Sequence, residues 1–476
     1  MKQYDLICIG TGSALSIVEA MIQHNPKSKV AVIDKDEPGG ICLTRGCIPS
    51  KMLLYPADVV RTVEKANVFG VDSKIQNIDF KKIMERMRNT INKDINDIRQ
   101  GLSQSKHVDY YHETAVFVAP YPIKVGKEII KSKMIVLGIG SKPSVPRIKG
   151  IEKTTYLTSD TILKISELPP SVIIIGGGYV AAEYSHFLSA MGSKVTVIGR
   201  NPQFIPEEEP EISTLAKREL GKHVTIYTNH EVKEVRMNKN GNKKLIVINR
   251  ETKQKIELTA DEIMVATGRS SFSDVLHTEN GGIKTDRNGW IVVNEYLETS
   301  QPNIWALGDA NGKHPFKHVA NYEAAIVYHN ALLKQKMKTD YHAIPHAVFT
   351  YPEIAAVGLG EKDAIENYGV DKVLIGFYRY EDTAKGEAMN AHDFFVKVIV
   401  EQSTMKILGA HIIGPNASVL IHEIIPLMYT LEQSANPITN SIHIHPALSE
   451  VVDRAFRSLM PPEHYHHLIE HHYKLL

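Results

Sequence analysis

The chain has 476 residues, of which 43% are apolar and 23% charged, with a formal net charge of +1. That length needs about three domains, and the balanced charge gives no electrostatic case for nucleic acid or an anionic membrane. No apolar run reaches the ~20 residues of a membrane span, and a strand starting at Tyr4 leaves no room for a signal peptide, so a cytoplasmic, multi-domain α/β enzyme is expected.

Residues 4 to 34 read as strand, glycine turn, helix, strand. The turn is Gly10-Thr11-Gly12-Ser13-Ala14-Leu15. Gly10 and Gly12 permit a tight turn and close approach of a pyrophosphate to a helix N-terminus. Leu15 stands where the fingerprint has its third glycine. The second strand, Val30 to Ile33, ends at Asp34, an acid placed to bind a ribose hydroxyl. The alternative is an ordinary βαβ unit with a glycine turn.

Next comes Gly39-Gly40-Ile41-Cys42-Leu43-Thr44-Arg45-Gly46-Cys47-Ile48-Pro49-Ser50-Lys51. With Cys8, in the first strand, Cys42 and Cys47 are the only cysteines. So few cysteines build no disulfide framework. Zinc needs four ligands, and the pair has no second cysteine pair or nearby histidine to complete a site. A dithiol that cycles with a disulfide needs only the two sulfurs. The residues between them can loop to bring them together, and Pro49 opens a helix whose N-terminus favours a thiolate at Cys47. A structural disulfide or two idle thiols are the alternatives.

Residues 79 to 105 carry a long polar helix pattern. Strands follow near 115–118 and 134–137, the latter running into the Gly138-Ile139-Gly140 turn. A second βαβ unit begins at Ser171. Gly176-Gly177-Gly178-Tyr179-Val180-Ala181 fits GxGxxA, with a helix through Leu188 and a strand from Lys194 to Ile198. Two dinucleotide units in one chain imply two dinucleotides, one able to reduce the other. Gly199-Arg200 ends the second strand where an acid would select NAD. Arg200 is suited to a 2′-phosphate, favouring NADP(H), or is a solvated arginine with both cofactors accepted. Residues 262–269 close this unit at Gly268 and echo the earlier turn. The strand 304–307 ends in Gly308-Asp309-Ala310, where Asp309 either meets flavin hydroxyls or is a plain turn aspartate.

From about Thr350 the pattern becomes α+β, with strands at 394–400 and 407–413 and an apolar helix over 417–432. His445-Pro446 precedes Glu450, which could orient the ring and raise its basicity. A purely structural histidine is the alternative. The tail, 459–476, holds His464, His466, His467, His471 and His472. It reads as solvated or interfacial, with a metal site on His467 and His471 the weaker reading.

Taken together, these motifs resemble the pyridine nucleotide–disulfide oxidoreductases, flavoproteins that include dihydrolipoamide dehydrogenase, glutathione reductase and mycothione reductase. The segment 42–51, Ala306-Leu307-Gly308-Asp309 and His445-Pro446-Ala447-Leu448-Ser449-Glu450 carry the likeness, which runs to about Phe456. It implies two Rossmann-like dinucleotide-binding domains and a C-terminal α+β dimerisation domain: FAD on 1–145 and 270–340, NAD(P)H on 146–269, and dimerisation by 341–476. By that likeness Cys42 exchanges with the substrate, Cys47 is the charge-transfer thiolate against the flavin, and Lys51 pairs with Glu183 near it. His445 arrives from the partner of a homodimer, held by Glu450, and Tyr179 covers the nicotinamide pocket. Cofactor contacts are expected at Gly10, Gly12, Ser13, Asp34, Gly40, Gly140, Gly176, Gly178, Tyr179, Arg200, Gly268, Asp309 and Ala310, and no metal site is assigned. The working label is dihydrolipoamide dehydrogenase-like, with a small disulfide or dithiol as substrate and a lipoyl-bearing complex as a candidate partner. The first glycine motif, 317–321 and 382–389 resemble the mycothione reductase form, which is the alternative. An electron carrier or oxidase with idle cysteines is the alternative from another class.

Overall fold

The structure, a computed structural model, describes residues 1–238 and 240–473, with the backbone alone at His472 and Tyr473. Its organising element is a five-stranded parallel sheet in the order Ile304–Ala306, Ile135–Leu137, Leu6–Ile9, Val30–Ile33, Val108–Tyr111. The three inner strands are buried at every residue, which is why they read as unbroken apolar runs rather than alternating ones. A second parallel sheet joins Thr225–Tyr227, Lys194–Ile198, Ser171–Ile175 and Glu262–Val265 in that order.

The two sheets repeat one device. A Cβ on Gly10 would stand 2.1 Å from the Gly138 carbonyl oxygen, and one on Gly176 would stand 2.1 Å from that of Ala266. Each glycine turn is therefore pressed against the neighbouring crossover strand, at φ +104° and +134°, a conformation glycine alone adopts freely. The chain passes between the two sheets through an antiparallel ribbon, Ser141–Pro143 against Arg269–Ser271.

The helix Phe80–Gln104 is capped by Asp79, which accepts from the Lys82 backbone N–H at 2.9 Å. Its buried face, Phe80, Met84, Met87, Ile91 and Ile95, shares a core with Leu53, Leu54, Ala57 and Val60 of the helix Cys47–Lys65. The cysteine-bearing helix is thereby fixed by packing along its length, not by local propensity alone.

The C-terminal part is a six-stranded antiparallel sheet in the order Pro345–Val348, Ile354–Gly358, Ile407–Ile413, Phe395–Glu401, Val373–Arg379, Leu459–Met460. The single helix expected over 417–432 is instead three short turns, Ala417–Leu420, Ile421–Glu423 and Ile425–Met428. Pro426 has no N–H to continue the ladder. The tail also departs from a solvated reading. Leu459–Met460 completes the sheet, and Tyr465 and Ile469 of the following helical turns are buried. The Tyr465 hydroxyl donates to Glu211, and His466 Nε2 donates to Glu361 at 2.6 Å. Both carboxylates hold Lys397, which is fully buried and bonds Glu209, Glu211 and Glu361 at 2.5–2.8 Å. The ammonium thus occupies the centre of the carboxylate cluster and ties the tail and sheet to the helix Pro210–Leu220. No described helix is long and apolar enough to cross a membrane.

Candidate active site

A cavity of about 710 Å³ runs from the first glycine turn to the C-terminal sheet. Gly10, Gly12, Ser13, Asp34, Gly40, Cys42, Cys47, Lys51, Gly140, Tyr179, Glu183 and Asp309 all line it. The segment joining the cysteines does not loop freely. Cys42 lies in the short helix Gly40–Arg45 and Cys47 is the first residue of the next helix. Gly46 separates them, with space so tight that a Cβ there would stand 2.9 Å from the Ile41 carbonyl oxygen. The break between two helices brings the sulfurs together.

The structure holds both cysteines as thiols, and their environments pull them apart. Cys47 is lowered to about 7, first by the hydrogen bond from the Cys42 thiol and then by the Lys51 charge, against an opposing burial effect. Its place at a helix N-terminus acts in the same direction. Cys42 is raised, by that same bond and by burial. The dithiol therefore loses its first proton from Cys47.

Lys51 lies one helical turn further on. Its ammonium bonds both oxygens of Glu183 at 2.9 Å and sits 4.6 Å from the Phe349 ring centroid. Glu183 is buried in the helix Tyr179–Met191 of the second unit and also accepts from the Phe349 backbone N–H at 3.1 Å. First unit, second unit and C-terminal sheet meet at this one carboxylate. Tyr179 stands at the start of the same helix, its phenol raised by burial.

At the other end, Asp34 Oδ2 accepts from the Thr11 N–H at 2.9 Å and the Thr11 hydroxyl at 2.5 Å, while Oδ1 accepts from the Asp36 N–H at 3.0 Å. Burial raises its carboxyl against these bonds. Asp309 accepts from the Ser141 hydroxyl at 2.5 Å and lies 3.6 Å from Arg269. Its neighbour Ala310 is buried. Buried Glu323 fixes that turn by accepting from the Gly308 N–H and Asn311. Ser13 donates to Asn321, and Lys317 donates to Ser13 at 2.7 Å. Thr11, Ser141, Lys317 and Glu323 were not marked as site residues by the sequence. Thr11, inside the glycine turn, and Lys317, inside a family-like segment, carried the only signal.

Gly176 and Gly178 form the second turn as expected. Gly268 precedes the linking ribbon, at φ +100°. Arg200 is exposed at the strand end and outside the cavity, and its carbonyl accepts from Arg250 at 2.8 Å.

His445 and Glu450 are brought together. His445 Nδ1 donates to the carboxylate at 3.0 Å, and the Ala447 N–H donates to it at 3.1 Å. His445 bonding is the leading cause that lowers the Glu450 carboxyl. Neither residue lines the cysteine cavity, and the His445 side chain is 71% exposed. Ile442 and Ile444 beside it are 101% and 79% exposed, an apolar edge of the kind that a second chain covers. The tail histidines lie apart from the cavity. The His467 and His471 rings are 4.4 Å apart, and the His472 side chain lies outside the described residues.

Comparison with known proteins agrees with this geometry. The pyridine nucleotide-disulphide oxidoreductase family profile matches residues 4–336, and that family's dimerisation domain matches 344–456. Mycothione reductase from Mycobacterium tuberculosis is 32% identical, over 96% of this chain and 100% of its own. Dihydrolipoyl dehydrogenase from Synechocystis is 33% identical, over 95% and 98%. The HOCl-induced flavoprotein disulfide reductase RclA from Escherichia coli, solved as a Cu(II) complex, superposes with a TM-score of 0.84 at 27% identity, covering 96% of this chain and 99% of that one. The chain belongs to the pyridine nucleotide–disulfide oxidoreductase family: it is a FAD- and pyridine-nucleotide-dependent oxidoreductase acting on sulfur, and its dimerisation domain supports a homodimer.

Proposed function

We propose that the chain reduces a small disulfide with NADPH in preference to NADH, through Cys42 and Cys47. The observation that carries this is the unequal dithiol, with Cys47 lowered to about 7 beside the Lys51–Glu183 pair and Cys42 raised. The cavity residues fit FAD. Two glycine-rich segments approach closely at Gly12 and Gly40, and Asp34 and Asp309 both offer carboxylates to the lining. Held by these residues, FAD would supply two-electron chemistry that links a nicotinamide hydride to the dithiol.

The chain's own residues do the rest. Gly176, Gly178 and Tyr179 receive the nucleotide, and Arg200 binds its 2′-phosphate, with no carboxylate at Gly199 to repel it. Lys51 and Glu183 hold the face between the two units. Cys47 keeps the thiolate while Cys42 attacks the substrate disulfide, releasing one thiol. Cys47 then closes on Cys42 and releases the second. His445 of the partner subunit, oriented by Glu450, takes the Cys42 proton and returns it to the leaving thiol. The net change is NADPH, one proton and a disulfide to NADP⁺ and two thiols. A reaction that consumes NADPH to make thiols fits a cytoplasmic setting.

A second reading is dihydrolipoamide oxidation with NAD⁺, in which a lipoyl-bearing complex is the partner. The 33% identical dihydrolipoyl dehydrogenase supports it, and Gly199 argues against it. Purified holoenzyme assayed with NADPH and NADH against lipoamide, glutathione disulfide, mycothiol disulfide and bis-γ-glutamylcystine separates the two. A low-molecular-weight disulfide with NADPH is the expected best pair. Lipoamide with NADH would establish the second reading, and turnover with oxygen or quinone alone would overturn both.

A further inference from the structure

One wall of the cavity carries a histidine–carboxylate pair that none of these roles uses. His346, in the strand Pro345–Val348, lines the cavity and donates from Nε2 to Glu208 Oε1 at 2.7 Å. The Glu208 side chain is 1% exposed, and its other oxygen is buried without a hydrogen-bond partner. A carboxylate so placed costs free energy unless it serves the one bond it makes. The Phe316 ring lies parallel to His346 and to His318, at 8° and 12° with centroids 6.0 and 5.3 Å apart. The imidazole is therefore held in plane.

The pair also bridges two parts of the molecule. Glu208 follows the second unit's strand end, whereas His346 belongs to the C-terminal sheet. Adjacent Glu207 lies against the nucleotide turn, its carboxylate 3.9 Å from where a Cβ on Gly178 would stand. Burial opposes a charge on His346, and the bond and charge of Glu208, with Glu207 behind it, overcome that and raise it. His318 and His422 are the other histidines that line this cavity. Glu208 and Glu207 favour the charged ring, in which both nitrogens bear protons, so with Nε2–H committed to the carboxylate, Nδ1–H is left to donate.

We propose that His346 contacts the pyridine nucleotide, its Nδ1–H donating to an oxygen of the nicotinamide carboxamide or of the phosphates, with Glu208 as its positioning residue. The proposal rests on reading Gly176–Tyr179 as the nucleotide turn.

The test uses flavin-loaded wild type, His346→Gln, His346→Asn and Glu208→Gln. The readouts are KM for NADPH, KM for the disulfide, kcat, and competition by NADP⁺ and by 2′-phospho-ADP-ribose, which lacks nicotinamide. Loss of one hydrogen bond to a bound nucleotide should raise KM for NADPH about tenfold in both histidine variants and about threefold in Glu208→Gln. KM for the disulfide and flavin content should stay unchanged. A carboxamide contact weakens NADP⁺ alone, and a phosphate contact weakens 2′-phospho-ADP-ribose equally. Nucleotide KM within twofold of wild type, or both KM values rising together, would overturn the proposal. Wild type that oxidises neither nucleotide would overturn the parent reading as well, which sets the two failures apart.

Discussion

In both dinucleotide units a glycine presses on the backbone of the crossover strand, Gly10 on Gly138 and Gly176 on Ala266, but the strand ends opposite them are built differently. The first ends in Asp34, whose carboxylate is bonded back into the turn by Thr11, and the Thr11 hydroxyl in turn accepts from the Gly39 N–H at 3.0 Å. Turn, strand end and the start of the cysteine segment form one network. The second ends in Gly199, with no side chain, and an exposed Arg200. One site is closed by its own side chains and suits a cofactor that stays. The other is open and suits a nucleotide that comes and goes.

The largest effect expected is at the junction between them. Cys47→Ser should lower disulfide turnover at least about a thousandfold, with flavin retained and still reduced by NADPH. Full turnover with oxygen or quinones in this variant, and no disulfide turnover in wild type, would restore the electron-carrier reading. A sharper contrast comes from one substitution made twice. Gly10→Ala and Gly176→Ala each drive a Cβ to 2.1 Å from a carbonyl oxygen. Gly10→Ala should purify without flavin, whereas Gly176→Ala should keep it and show a nucleotide KM raised about a hundredfold. Equal flavin loss in both would erase the distinction. Arg200→Glu should lower the preference for NADPH over NADH about ten- to a hundredfold in kcat/KM, and an unchanged ratio would make Arg200 a bystander.

The thiolate gives a pH prediction. In the reduced protein the Cys47 thiolate, followed by its ultraviolet absorbance, should appear with a midpoint of about 7 rather than the ordinary 9.0. A value depressed in the folded state contributes stability that is full above the ordinary value and lost as pH falls through about 7. Cys42→Ala removes the leading hydrogen bond and should move the midpoint upward, and an unmoved midpoint would assign the effect to Lys51 and the helix end instead. The smallest change is Thr11→Val. Losing the hydroxyl's bonds to Asp34 and from the Gly39 N–H should cost about 1–2 kcal/mol, read as roughly tenfold faster flavin release, with nucleotide KM unaffected.

Much of this was legible in the chain because it is local. Unbroken apolar strands, glycine turns and the close cysteine pair are each written within a few consecutive residues, and so were the two dinucleotide units. The chain alone also marked His445 with Glu450, five positions apart. It misjudged 417–432, where apolar content outweighed Pro426, and the tail, where scattered histidines hid the buried Tyr465 and Ile469. Only the tertiary structure decided which distant groups meet. The meeting of Lys51 with Glu183, 132 positions away, was expected from the family likeness alone, whereas Asp309 lies 168 from Ser141 and His346 lies 138 from Glu208 with no such cue. Buried charges and hydroxyls must find partners wherever the packed sheets bring them, and no sequence period records those meetings. The same holds for His445: its motif marks the pair with Glu450, but the fold shows that ring exposed and outside the cavity of its own cysteines, beside the exposed Ile442 and Ile444.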